Sequence, residues 1–477
     1  MTPSTALTGP RPSAIHDATT WTRAHDRLVE DVRDLIRIRT VNPPGDEIRA
    51  ARHVEALLSE AGIPSTVVEP YPDRGSVAAR LHGDGSGGGP LLLLSHLDVV
   101  PAPPEEWTHD PFGGDVADGA IWGRGAVDMK AMVAMEIAVL RLLAGEARAA
   151  GRDPASDPVP GLTRDVLFAS TADEEIGGLA GIDWIVRERP EWIRADGCLN
   201  EAGGVSVELG GRRFYPIQVA EKGYAHYRIE VHGRWGHGSM PGDDNAAVLA
   251  AEVVRRLAAP GKARPTPVMT RFIERVAAAL PEPSASLVRL ALDSDPRRAD
   301  AAIGRLCEPS YARALRALVR DTFSPNVITA GVKTNVIPGV AQVFVDGRTL
   351  PGTDEEQMRS EIRRRLGEEL WARVECDPIL VGPSVEAPVD SLLYGLLETS
   401  IREHDPDGIP VPVMAPFGTD AKHTRLLDTP TYGFSPLRLR PEDRFLELFH
   451  GVDERVSLDG LRFGLPVLYD VVRRFCG

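Results

Sequence analysis

Apolar residues recur at helical spacing over 22–40 and 47–62, with Leu28, Val32, Leu35 and Ile36 in the first stretch and Val54, Leu57 and Leu58 in the second. Both stretches predict helices. Between them Asn42-Pro43-Pro44-Gly45 breaks the chain. Two short β-prone runs follow at 66–68 and 76–81, and the glycine-rich residues 83–89 read as a flexible hairpin or loop. Leu91-Leu92-Leu93-Leu94 is a continuous apolar run of strand length, the pattern of a central strand covered on both faces. Residues 128–143 predict a helix, 146–164 a loop rich in Gly, Pro and Asp, and 166–170 a second core strand. Helix and strand alternating in this way predict an α/β fold, a central sheet flanked by helices.

A second region begins near Lys222, where 227–231 and 341–345 predict strands with helical stretches between them. Residues 260–321, rich in Ala, Arg and Leu, predict an inserted helical hairpin, and 458–475 a closing helix. At 477 residues the chain is too long for one compact core. A hydrophobic fraction of 43% beside 26% charged residues fits a globular protein rather than a disordered one. The formal charge is −15 and no Lys/Arg-rich run stands out, which argues against nucleic acid or an anionic membrane surface as partner. Cys198, Cys307, Cys376 and Cys476 are scattered without a CxxC pair, as expected in a reducing cytoplasm. The first 20 residues are polar and lack the apolar core of a signal peptide. No apolar run approaches the ~20 residues of a membrane span, so a cytoplasmic protein is expected.

The chemistry lies in His, Asp and Glu residues placed where predicted strands end, which is where open α/β sheets build ligand sites. Ser95-His96-Leu97-Asp98 follows the leucine run directly. In an extended chain His96 and Asp98 point to the same side, so one can ligate a metal while the other fixes the imidazole. Gly123-Arg124-Gly125-Ala126-Val127-Asp128 opens a helix, Asp173-Glu174-Glu175 follows the strand at 166–170, and Asn200-Glu201 follows another short apolar run. His450-Gly451-Val452-Asp453-Glu454-Arg455 stands near the C-terminus. Singly, a His-x-Asp is commonly structural and an Asp-Glu-Glu triplet commonly solvated charge; five such pieces in order carry more. Two His and three carboxylates without a thiolate suit borderline or hard divalent metals. Two ions ~3.5–4 Å apart would need a bridging carboxylate and hydroxide between them. His109, His232 and His423 read as structural.

The order SHLDVVP, WTHDPFGG, GRGAVDMK, ADEEIGG, NEAGG, GHGSMP, KTNVIPG, DGRTLPG and HGVDER resembles the co-catalytic zinc metallopeptidases. That family holds aminoacylase, glutamate carboxypeptidase, carnosinase, acetylornithine deacetylase and succinyl-diaminopimelate desuccinylase. Within it, Trp107…Asp110-Pro111-Phe112, Ile121-Trp122-Gly123-Arg124-Gly125 and the long insertion are most similar to the carboxypeptidase-S-like and N-acyl-amino-acid hydrolase branch. The resemblance implies a zinc-peptidase-like catalytic domain at 1–221 and 348–477, with a central mixed sheet flanked by helices. An α+β lid and dimerisation domain would be inserted at 222–347.

The resemblance also implies roles. His96, Asp128 and Glu201 would hold one ion, and Asp128, Glu175 and His450 the other. The expected ions are zinc, with cobalt or manganese suited to the same ligands. Asp98 would orient His96, and Glu174 would be the general base acting on a bridging hydroxide. A cis peptide is expected at Asp128–Met129. His237 would stabilise the oxyanion from the lid across a homodimer. Arg348 would clasp the substrate carboxylate, with Asn335, Gly418 and Thr419 as further substrate contacts.

The implied activity is metal-dependent hydrolysis of small peptides or N-acyl amino acids with a free carboxylate. Deacylation, desuccinylation or N-carbamoyl hydrolysis remains open beside it, and an inactive peptide-binding relative is a more distant alternative. Two features depart from the family pattern. Ala202 interrupts the glycines after Glu201, for which only a slight backbone change is expected, and 260–321 is longer than in compact members.

Overall fold

The computed structural model describes residues 11–440 and 443–477, so the first half of the polar leader lies outside the described residues. The chain divides into two compact units. The first comprises the described residues up to Val219, Ala387–Pro412 and Thr419–Gly477, and the second Ala220–Glu386 with Val413–Gly418.

The sheet of the first unit runs in the order Ser65–Tyr71, Arg74–Leu81, Val166–Thr171, Leu91–His96, Gly197–Asn200, Thr431–Gly433, Arg212–Glu221. The four middle strands are mutually parallel and the outer pairings antiparallel, which makes the sheet mixed. Leu91 to Leu94 are all fully buried. Leu92 and Leu94 pack with Ile182 and Ile185 of the helix Ile182–Glu188. Helices Lys130–Ala149 and Leu458–Cys476 also contact this strand and take the opposite face, toward which Leu91 and Leu93 alternate. Lys130–Ala149 is buried around most of its circumference, as expected for a helix apolar on all sides. The helices predicted at 22–40 and 47–62 run at Ala18–Arg37 and Glu47–Glu60.

The second unit is built on a four-stranded antiparallel sheet in the order Thr322–Ala330, Val340–Thr349, Gly223–His232, Val374–Gly382. Ala225, Tyr227, Ile229 and Val231 alternate onto its buried face and share a core with helices Ala246–Leu257 and Glu355–Trp371. This unit extends past 347 because Val374–Gly382 pairs with Gly223–His232, a long-range pairing that local pattern does not carry. The segment read as a hairpin forms four helices, Pro267–Ala279, Ser284–Leu290, Pro296–Leu306 and Pro309–Leu318.

Lys222 ties these helices to the sheet. Its buried ammonium donates to the carbonyls of Ala317 (3.0 Å) and Arg320 (2.9 Å) and to the Thr322 hydroxyl (3.2 Å). Removing the donor strands buried acceptors. Lys222→Ala is expected to destabilise the protein by about 2–3 kcal/mol in urea unfolding; a change within experimental error would show that water replaces the ammonium.

Candidate metal centre

Three adjacent parallel strands end at the centre. Leu91–His96 ends in His96, Val166–Thr171 leads into Asp173-Glu174-Glu175, and Gly197–Asn200 is followed by Glu201. Asp128 precedes the helix Lys130–Ala149, and the Asp128–Met129 peptide is cis. His450 arrives from a loop near the C-terminus with φ +54 and a half-exposed side chain.

These residues fall into two groups that share Asp128. His96 Nε2 lies 3.1 Å from Asp128 Oδ1 and 3.8 Å from Glu201 Oε2. His450 Nε2 lies 3.2 Å from Asp128 Oδ2 and 3.2 Å from Glu175 Oε2. Asp128 therefore turns one oxygen to each histidine. Donors ~2.0–2.1 Å from a tetrahedral zinc stand ~3.3 Å apart, so the spacing fits an ion in each group. The other oxygen of Glu175 is buried without a hydrogen-bond partner. Nitrogen and carboxylate donors without sulfur suit Zn²⁺, Co²⁺ or Mn²⁺ alike.

Asp98 is wholly buried beside His96. Its carboxylate lies 3.4 Å and its carbonyl 3.0 Å from His96 Nδ1, which leaves Nε2 for the centre. The same carboxylate accepts the backbone N–H groups of Glu174 and Glu175, both at 3.1 Å. One side chain thus orients a histidine and fixes the turn that presents both glutamates. Asn42 donates to Asp98 at 2.8 Å and accepts from Arg74, which also pairs with Asp173 and with buried Glu47. The sequence marks Asn42 only as part of a chain break, and its polar side chain beside two prolines is the signal passed over.

Two histidines among clustered carboxylates shift every group. Asp128 is held well below the ordinary carboxylate range: burial pushes it up, and the hydrogen bonds from His450 and His96 outweigh that push. Burial, with the neighbouring Asp128 charge, pushes Glu201 up to about 8 against the pull of His96. Asp128 and Glu175 raise His450 to about 10. Burial and the charges of Glu201 and Asp420 push Glu174 well above its ordinary range. Asp420, buried and accepting from Thr171 at 3.1 Å, is a further acidic neighbour that sequence reasoning left aside.

Ala202 takes φ +75, a region that costs a non-glycine residue ~1–2 kcal/mol. At Gly203 a Cβ would sit 2.0 Å from the Gly433 carbonyl oxygen, so this glycine sets the approach of two backbones. Thr419 Oγ1 accepts from Asn200 at 3.3 Å, beside Glu201. His423 contacts the Gly177 carbonyl at 3.2 Å and His109 packs on Trp122.

His237, Asn335, Arg348 and Gly418 belong to the second unit. His237 is exposed, with Nδ1 2.7 Å from Ser239 Oγ, and Asn335 lies beside it, its carbonyl accepting from the Gly238 N–H. Arg348 makes a two-pronged pair with Asp346 at 2.7 and 3.2 Å.

An α/β sheet whose parallel strand ends present His96, Glu175 and Glu201, joined by Asp128 and His450 from loops and sharing that one aspartate, fits a class of metal-dependent hydrolase. The model of peptidase family M20/M25/M40 matches residues 92–474, and the chain belongs to that family, whose members hydrolyse amide bonds. It is 27% identical over 430 residues to the human N-fatty-acyl-amino acid synthase/hydrolase PM20D1, covering 87% of this chain and 79% of that protein. It is 28% identical over 398 residues to the probable carboxypeptidase S-like 2 of Dictyostelium discoideum, covering 80% and 71%. Among solved structures, human carnosine dipeptidase 1 superimposes with a TM-score of 0.66 at 15% identity, covering 98% of this chain and all of that one. The first two relatives accord with the branch that the motifs resemble.

The pKa shifts set a pH dependence. His450, raised from 6.5 to about 10, stabilises the metal-free fold fully below pH 6.5 and loses that contribution as pH rises toward 10. Glu201, raised from 4.5 to about 8, acts in the same direction between those values. Chelated protein is expected to lose thermal stability between about pH 6.5 and 9, while metal-loaded protein, its ligands already deprotonated, does not follow. Tm measured at both pH values with and without chelator checks this, and a flat metal-free profile would refute it.

Proposed function

We propose that this chain is a two-ion amidohydrolase acting on small peptides or N-acyl amino acids that carry a free carboxylate beside the scissile amide. The observation that carries the reading is Asp128, whose two oxygens face His96 and His450 separately. The relatives' names, which speak of N-acyl amino acids and of a carboxypeptidase, favour substrates of this class. The expected ions are zinc; when bound, a pair of divalent ions supplies Lewis acidity toward the amide carbonyl and lowers the pKa of water.

The protein's own residues supply the rest. His96, Asp128 and Glu201 would hold one ion, and Asp128, Glu175 and His450 the other. Glu174 is the general base. Its turn is held through two backbone N–H groups by Asp98, and its raised proton affinity suits a group that takes a proton and returns it to the leaving amine. Arg348 clasps the substrate carboxylate. The Asp346 pair engages its Nε and one terminal nitrogen and leaves the other terminal nitrogen as donor. His237 assists the oxyanion, with Asn335, Gly418 and Thr419 as further contacts.

A homodimer through the second unit is supported by the edge strand Thr322–Ala330, which carries exposed Val327 and Ile328. The four cysteines are free thiols, in keeping with a cytoplasmic site. Among the described residues no helix is long and apolar enough to cross a membrane.

Metal analysis followed by turnover of a dipeptide and N-acyl amino acid panel tests the reading. About two equivalents of metal, with activity lost to chelator and restored by zinc, cobalt or manganese, is the expected result. Protein without metal and indifferent to chelator refutes it. Glu174→Ala is expected to keep both ions and lower kcat ~10²–10⁴-fold; full activity would remove Glu174 as base. Arg348→Ala is expected to raise KM for carboxylate-bearing substrates ~10-fold or more, and an unchanged KM would remove the clasp.

A further inference from the structure

Of the ligand residues, His96, Glu175 and Glu201 emerge from ends of the central sheet, where strand pairing sets their positions. Asp128 and His450 lie on loops. His450 is half-exposed, in a left-handed backbone conformation, and comes from a distant part of the chain. Some contact must bring these two loops into register, because a metal bond of ~2 Å tolerates little displacement.

Glu454 makes that contact. It is fully buried, 326 positions from Asp128 in sequence. Its Oε1 accepts the backbone N–H groups of Val127 (2.7 Å) and Asp128 (3.1 Å), and its Oε2 accepts the N–H of Gly125 (3.1 Å) and Arg124 Nη1 (2.7 Å). Its backbone carbonyl accepts the Gly123 N–H at 2.9 Å. Arg124 carries the clasp onward: Nη2 donates to the Gly451 carbonyl at 2.9 Å and, at 3.4 Å, to that of His450 itself. The guanidinium also lies over the Trp107 ring at 5.1 Å. One ion pair is thus bonded on one side to the backbone of the shared aspartate and on the other to the backbone of the exposed histidine.

The four donors fill the roughly four acceptor positions of a carboxylate, so Glu454 has no capacity left for substrate. A buried ion pair is weak evidence for stability in itself. The value of this one lies in three converging backbone N–H groups that an apolar residue would leave unpaired.

We propose that Glu454, acting with Arg124, is a positioning residue that holds Asp128 and His450 in register and so controls occupancy of the ion bound by Asp128, Glu175 and His450. The inference rests on the two-ion reading above. It predicts an asymmetry: the His96, Asp128 and Glu201 ion keeps two ligands anchored at strand ends, whereas the other loses the placement of both loop ligands together.

The experiment is calorimetric titration of chelator-stripped, folded protein with Zn²⁺, comparing wild type, Glu454→Gln, Arg124→Lys and, as reference, His450→Ala. Glutamine keeps the size of the side chain but turns an N–H₂ toward N–H donors, and lysine keeps the charge but loses the fork. Wild type is expected to take two ions. Glu454→Gln is expected to keep one near wild-type affinity and to bind the other ~10–100-fold more weakly, the range for residues that orient metal ligands. It should then match the pattern of His450→Ala. Arg124→Lys is expected to show the same one-sided loss and serves if Glu454→Gln does not fold. Wild-type affinities at both sites in the folded variants, or equal weakening of both, would overturn the inference while leaving the two-ion reading intact. Wild-type protein taking fewer than two ions overturns that reading, and this inference with it.

Discussion

The constraint on which the structure turns is electrostatic. Asp98, Asp128, Glu174, Glu175 and Glu201 are gathered around two imidazoles, and most of them are buried or nearly so. Such a set is tolerable only with positive charge among it. Without metal, the histidines supply it by holding protons that their ordinary basicity would not keep at neutral pH. Two of the carboxylates are raised in turn, Glu201 by burial and the Asp128 charge, and Glu174 by burial and the Glu201 charge. A pair of divalent cations held by these donors would relieve both strains at once.

Around that charge the chain builds supports that each serve two purposes. Asp98 orients His96 and ties down the turn carrying Glu174 and Glu175. Arg74 pairs with Asp173 and Glu47 and donates to Asn42, which donates to Asp98 in its turn. Glu454 and Arg124 do the same for the loops of Asp128 and His450. Buried ion pairs of this kind add little net stability, but the backbone and side-chain donors that converge on Asp98 and Glu454 leave few alternative arrangements. The hydrophobic sandwich of helices on the parallel strands supplies stability, and the polar layer above the strand ends supplies position.

The second unit obeys a different logic. Its sheet buries one face against two helices, and the alternation of Ala225, Tyr227, Ile229 and Val231 records this directly. Of the four helices between Pro267 and Leu318, the last is tied to the sheet by the Lys222 ammonium at Ala317, and Arg316 links it to Asp300 of the helix before it. Residues tied to substrate by resemblance, His237, Asn335 and Arg348, all belong to this unit, and the candidate metal ligands to the other.

Local pattern determined the elements and the chemical inventory. The run Leu91 to Leu94, of strand length and apolar throughout, fits a strand covered on both faces, and each acidic or histidine motif that follows such a run falls at a strand end. The motifs and the family they resemble supplied the five ligand candidates and Glu174, and the structure brings the five candidates into two groups that share Asp128. Pairing over long distances was not legible. The strand Val374–Gly382 joins the second sheet through partners some 150 residues earlier, as between Arg228 and Asp377, so the unit runs to Glu386, past the 347 that the resemblance implied. Nor did the sequence reveal what Asn42, Asp420, Arg124 and Glu454 do beside the candidate ligands, since a polar residue looks the same, inside a motif or outside one, whether it meets water or a ligand loop. Only the tertiary structure decided that, by burying those groups where backbone donors and charged partners, distant along the chain, converge on them.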